Sequence, residues 1–167
     1  MNQPLWAPWR MEYIRSEKPK GCIFCAFRDA PRSEDRANLV VHRSEQAFAC
    51  LNRFPYNSGH VMVIPSAHGA DPAALPVDAW EALQRELRRA VRVVRAVYRP
   101  DGLNLGMNLG QIAGAGIVDH LHWHAVPRWA GDTNFMPVLA DTRVMVEALD
   151  GAWERLSTAF AEDAAEP

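Results

Sequence analysis

Three cysteines in 167 residues cannot build a disulfide framework, and a chain of this length needs none, since a domain of about 150 residues already buries roughly 70% of its unfolded surface. Long apolar runs are missing as well. No stretch approaches the roughly 18 uninterrupted apolar residues of a membrane-spanning helix, so no membrane span is expected. Nor does a basic start lead into about 7–15 apolar residues, so a signal peptide is not expected either. The expected compartment is the cytoplasm, where a close cysteine pair points to metal or redox chemistry. A large excess of either charge is absent too: 18 basic against 20 acidic side chains give −2, which argues against a nucleic-acid partner. Without repeats or low-complexity linkers, the chain reads as one domain over 1–167. An N-terminal arm covers about 1–20 and a C-terminal helix and tail about 142–167; the arm's Trp6, Trp9 and Tyr13 need the domain or a second subunit to bury them.

What is present is unevenly placed. Residues 1–100 hold 15 basic and 10 acidic groups, whereas 101–167 hold 3 and 10. Much of the basic excess falls on one segment, Asp78 to Tyr98, where Trp80, Leu83, Leu87, Val91 and Val94 recur at helical steps. Its arginines, Arg85, Arg88, Arg89, Arg92, Arg95 and Arg99, read as a solvated face, since no aromatic platform accompanies them. Before this helix, β-like runs occur at about Leu39–His42, Ala47–Leu51 and His60–Ile64, bounded by Ser44-Glu45 and by the Pro55–Gly59 turn cluster. After it come runs near Leu103–Asn108 and Asp119–Val126, then a helix from about Thr142 to Phe160. This order predicts an α+β domain: an antiparallel sheet of about five strands with the long helix and the C-terminal helix packed on it.

The most informative segment is Asp119-His120-Leu121-His122-Trp123-His124-Ala125-Val126. Side chains alternate across a strand, so the three histidines share one face, with successive members about 6.6 Å apart at about 3.3 Å per residue. Neighbours in such a row can converge on one metal, while the end members are free to do different jobs. Imidazole is both the commonest metal ligand and a side chain that serves as nucleophile, acid or base near neutral pH. Upstream, Asn104 to Gly116 holds four glycines, Gly106, Gly110, Gly114 and Gly116. Their backbone N–H groups can approach an anion closely, so with Asn104, Asn108 and Gln111 the loop is a candidate phosphate cradle beside the row. The same glycines also suit a simple hairpin.

A second cluster, Cys22-Ile23-Phe24-Cys25, sets two sulfurs within reach of one tetrahedral metal, which takes four N or S ligands when structural. No βαβ pattern surrounds it, which weakens a redox reading. The other two ligands must come from His42, His60, His68 or the row, and spacing does not choose among them.

With these motifs, the chain resembles the histidine-triad nucleotide hydrolase and transferase superfamily over roughly residues 20–130. The resemblance rests on the Cys pair, on Leu51-Asn52-Arg53-Phe54-Pro55-Tyr56-Asn57-Ser58-Gly59-His60-Val61-Met62-Val63-Ile64-Pro65 ending at His68, and on the histidine row. The opening at Leu5 and the Val126–Phe135 run are similar to the bacterial branch that includes diadenosine-tetraphosphate phosphorylases. The resemblance implies a structural zinc on Cys22, Cys25, His68 and His120, and no organic cofactor. It also implies a nucleophile at His122, a leaving-group assistant at His124 and a further active-site histidine at His60. Asn52 takes the ribose-binding position, and Asn108 a place near the phosphates. A nucleotide or dinucleoside polyphosphate substrate, cleaved by hydrolysis or phosphorolysis through a nucleotidyl-histidine, and a homodimer follow from the same resemblance. Other readings within reach are an adenosine phosphoramidase of the smaller branch, or a nucleotide sensor with little turnover. One departure stands out: many relatives carry Gly-Gln and then Ser or Thr before the triad, where this chain has Ala115-Gly116-Ile117-Val118. Gln111 or backbone N–H groups are then the available substitutes for the missing donors.

Overall fold

The computed structural model of the protein describes residues 21–132 and 147–163. It begins with a short helix α1 (Ile23–Asp29) and a 3-10 turn (Arg32–Glu34). Strands β1 (Val40–Arg43), β2 (Ala47–Leu51) and β3 (Val61–Pro65) follow, then the long helix α2 (Val77–Tyr98). Strands β4 (Gly102–Gly106) and β5 (Trp123–Arg128) and the helix α3 (Leu149–Glu162) complete the described elements. The strands form one open antiparallel sheet in the order β1-β2-β3-β5-β4. The fold is α+β, as the element order predicts.

Alternation along the strands sorts the core into two layers. Val41, Ala49, Leu51, Val61 and Val63 face α2 and α3 and pack with Leu83, Leu87, Val94, Leu156 and Phe160. Val40, Phe48, Cys50, Met62 and Ile64 face the other way and pack with Phe24 of α1. Leu83, Leu156 and Phe160 are fully buried; at about 25 cal/mol per Å² each contributes roughly 1.5–3 kcal/mol. Phe160→Ala would cost about 3–5 kcal/mol through the cavity it leaves.

Several expectations need correction. The fifth strand starts at Trp123, not near Asp119, so His120, in a bend, and His122 sit in irregular chain ahead of it. The N–H of Leu121 donates instead to the carbonyl of Gly69 at 2.7 Å, outside the sheet ladder. Helix α1 was not anticipated, because seven residues are too few to show a helical period. The last helix starts at Leu149; the expected start near Thr142 and the arm over 1–20 lie outside the described residues. Nor is the arginine face of α2 wholly solvated. Arg89 donates to Asp163 and to the carbonyls of Phe160 and Asp163, satisfying orphan acceptors at the end of α3. Arg92 joins the same carboxylate. His42, one of the histidines open as a ligand by spacing, is instead only 17% exposed and stacks on Phe160 at 5.2 Å. A register shift between Val40 and His42 is the cause. It adds a residue to β1, so that His42 turns toward the helices with Val41.

Candidate active site and metal cluster

The even-numbered residues of β3 and β5 share the face that carries α1, since Met62 lies opposite His124 in the register. His60, just ahead of β3, and His120 and His122, just ahead of β5, continue that parity on the same side. The row divides there. His120 joins Cys22, Cys25 and His68, and the four ligand atoms all lie within 4.8 Å of one another. His122 and His124 line a cleft instead.

The four-residue cluster fits a tetrahedral metal. His68 Nδ1 and His120 Nδ1 are 3.3 Å apart, Cys22 Sγ is 3.2 Å from His120 Nδ1, and Cys25 Sγ is 3.3 and 3.7 Å from the two imidazoles. Metal–ligand bonds of about 2.0–2.3 Å at tetrahedral angles separate such atoms by about 3.3–3.8 Å. His120 Nε2–H donates to the Pro65 carbonyl at 2.9 Å, which leaves the Nδ1 lone pair for the cluster. That outer contact is the usual device for orienting a ligating histidine. Burial, and then the adjacent Cys22, raise the pKa of Cys25.

His122 is 4% exposed, and its Nδ1–H donates to the carbonyl of His120 at 2.9 Å. Burial lowers its pKa against the opposing pull of that carbonyl, so the ring is neutral with a lone pair on Nε2. The second imidazole follows from the hydrogen bonds around it. The backbone N–H of Tyr56 can only donate, and it meets His60 Nδ1 at 3.1 Å. His60 therefore carries its proton on Nε2 and gives that hydrogen bond to His124 Nδ1 at 2.9 Å. Neutral His124 must then hold its own proton on Nε2. His122 and His124, 4.9 Å apart between ring centres, thus present complementary chemistry: a lone pair on one, a proton on the other.

The cleft beside them is open to solvent, with a cavity volume of about 100 Å³. Ile23, Phe24, Leu39, Leu51, Met62 and Ile117 make its apolar walls, and Asn52 and Arg53 bring polar groups. Phe24 sits edge-on to both His120 and His122, at 5.5 and 5.2 Å. The Cys-Ile-Phe-Cys motif therefore builds the cleft wall as well as half of the cluster, a second use that reading it for ligands alone misses. Asn52 Oδ1 accepts the Phe54 N–H at 2.9 Å, which aims its amide into the cleft turn.

The Gly-rich loop is brought to the site only in part. Gly116 lines the cleft, whereas Gly110, Gln111 and Gly114 lie on the exposed outer turn and do not. Asn108 Nδ2 reaches the Gly114 carbonyl at 3.5 Å. Asn104 stands away from the cleft, its Oδ1 accepting Arg128 Nη1 at 2.8 Å. The departure before the triad has a structural counterpart: Ile117 packs on the Phe24 layer, so this stretch contributes apolar wall.

Fold and site together define a histidine-triad protein, one whose first triad member belongs to a Cys/His cluster and whose other two face a cleft. The chain belongs to the HIT family: the HIT domain model matches residues 33–131. It is 36% identical over 165 residues to an AP-4-A phosphorylase of Mycobacterium tuberculosis, covering 95% of this chain and 85% of that one. A zinc-bound histidine triad family protein from Mycobacterium smegmatis superposes with a TM-score of 0.67 at 29% identity, over 87% of this chain and 98% of the other. A hypothetical histidine triad nucleotide-binding protein from Sulfolobus tokodaii gives 0.62 at 26% identity, over 84% and 90%. No described helix is long and apolar enough to cross a membrane.

Proposed function

We propose that this protein is an enzyme that cleaves dinucleoside polyphosphates of the diadenosine tetraphosphate type through a nucleotidyl-His122 intermediate. The observation that carries the reading is the neutral His122, whose Nδ1 is tied to a carbonyl and whose Nε2 lone pair belongs to the cleft. The Nε2 lone pair attacks the α-phosphorus, and the bond from that phosphorus to the bridging oxygen breaks. His124 Nε2–H protonates the departing nucleotide, and His60 holds His124 in the tautomer that can do so. Inorganic phosphate or water then attacks the same phosphorus and releases His122. The phosphoryl oxygens gain most from positioning and fixed donors. Gly116 at the cleft would supply such donors, and Asn108, Gly110, Gln111 and Gly114 would do so only with the outer loop folded over the phosphates. Asn52 serves the ribose and the apolar walls the base.

Cys22, Cys25, His68 and His120 would hold a structural zinc, which would fix the start of the catalytic segment rather than activate substrate, since all four positions would be taken by protein ligands. The zinc-bound relative supports that metal, and the relative named a phosphorylase supports phosphorolysis. The protein works in the cytoplasm as a homodimer. Its exposed edge strand β4, with Leu105 outward, offers the surface for pairing.

The test presents diadenosine tetraphosphate with and without inorganic phosphate. ADP plus ATP, formed only with phosphate and abolished in His122→Ala, is the expected result. Two ADP without phosphate would contradict attack at the α-phosphorus.

A further inference from the structure

The segment after β5 carries an ion-paired cluster that the reaction above does not use. Asp132 is 8% exposed on its side chain and accepts Arg128 Nε at 2.5 Å and Arg128 Nη2 at 2.9 Å. Arg128 Nη1 donates to Asn104. With three of its five N–H donors committed and its charge matched by Asp132, this guanidinium is poorly suited to hold a phosphate.

Asp132 has another contact that leads back to the catalytic histidines. Its Oδ2 accepts Asn57 Nδ2 at 3.0 Å, and the same amide nitrogen donates to the Pro127 carbonyl of β5 at 3.1 Å. Asn57 is the hub of the Pro55–Gly59 turn: its own carbonyl accepts the N–H of His60 at 3.2 Å. The residue before it, Tyr56, supplies the N–H that occupies His60 Nδ1. The amide of Asn57 thus ties the turn that carries Tyr56 and His60 to the strand that carries His124.

We propose that Asp132, acting through Asn57, is a positioning residue that fixes the tautomers of His60 and His124. The physical reason is that one hydrogen bond selects both. While the Tyr56 N–H occupies His60 Nδ1, the His60 proton sits on Nε2, and His124 must keep its proton on the far nitrogen. If the turn loosens and that N–H swings away, His60 can hold its proton on Nδ1. Its Nε2 then becomes an acceptor, His124 turns to Nδ1–H, and the proton is gone from the nitrogen that serves the leaving group. The importance of this for turnover rests on the reading of His124 as leaving-group acid; the tautomer control itself does not.

The test uses Asn57→Ala and Asp132→Asn in the full-length protein, the second keeping the shape of the side chain should the first fail to fold. Two-bond proton–nitrogen NMR on labelled imidazoles reads the resting tautomers. Wild-type protein should show His60 and His124 each protonated on Nε2 alone, and each folded variant should show mixed tautomers at both rings. Turnover of diadenosine tetraphosphate with phosphate should fall at least about 10-fold in kcat, with KM nearly unchanged. A single Nε2–H tautomer retained in a folded variant overturns the proposal. Mixed tautomers with kcat intact would uphold the positioning link and overturn the acid role of His124.

Discussion

Replacing Glu86 with Gln is expected to stabilise the protein above neutral pH and to leave its stability in acid nearly unchanged. Glu86 lies on α2, 5% exposed, with Oε1 3.5 Å from His42 Nε2 and no hydrogen bond to that oxygen among the described residues. The contact resembles an ion pair, but the hydrogen bonds say otherwise. His42 Nε2 accepts Arg89 Nη1–H at 2.9 Å, so the ring is neutral and turns a lone pair toward the carboxyl. Burial, with help from Arg89 and Arg32, pushes His42 down to about 4. Burial likewise pushes Glu86 up to about 7 from 4.5, against the pull of Arg89.

A raised folded-state pKa means that the native protein holds the proton more tightly than the unfolded chain. The associated stability is fully present below pH 4.5 and is lost as pH rises through 7. A shift of this size at about 1.4 kcal/mol per pH unit amounts to about 3 kcal/mol. His42 has the opposite sign: its contribution is present above 6.5 and lost as pH falls through about 4. The two slopes offset each other in the wild-type curve, so the quantity to measure is the difference between variant and wild type. Urea denaturation from pH 4.5 to 8.5 should give a difference near zero at the acid end, rising to about 3 kcal/mol in favour of Glu86→Gln at the alkaline end. A variant destabilised at every pH would refute the reasoning, because it would mean that the native carboxylate is ionised and well partnered.

Two further outcomes are expected. Purified protein should contain about one zinc per chain by metal analysis, and Cys22→Ser should lose the metal with a drop in Tm, since structural zinc contributes directly to folding. Gly59→Ala should cost more than about 1 kcal/mol in urea denaturation: φ is +72° there, and a Cβ would lie 2.5 Å from the Tyr98 ring.

Much of the architecture was legible in the chain because its signals are local. Ala47–Leu51 is a short continuous apolar run after a turn, and Asp78–Tyr98 shows a period of 3.6, each within a few residues of where β2 and α2 lie. The division of the histidine row was legible only as a possibility, since an alternating row says which side chains share a face and nothing about what stands opposite. Asn104 and the outer glycines show the limit of the loop reading. Composition marked a candidate cradle, but a strand partner, Arg128, takes Asn104 elsewhere. Tyr56, Asn57 and Asp132 went unread as site residues because their chemistry is a backbone N–H and a carboxylate brought together across the sheet.

By itself, then, the sequence determined the strand and helix pattern, the parity of the histidines and a family resemblance resting on motifs. Tertiary structure decided which partners meet. Cys22 reaches His120 across 98 positions and Cys25 reaches His68 across 43. One register shift in β1 sends His42 into the helix layer. Local periodicity is written in neighbouring residues, whereas these meetings depend on how the two packed layers close on the sheet, which no window of sequence contains.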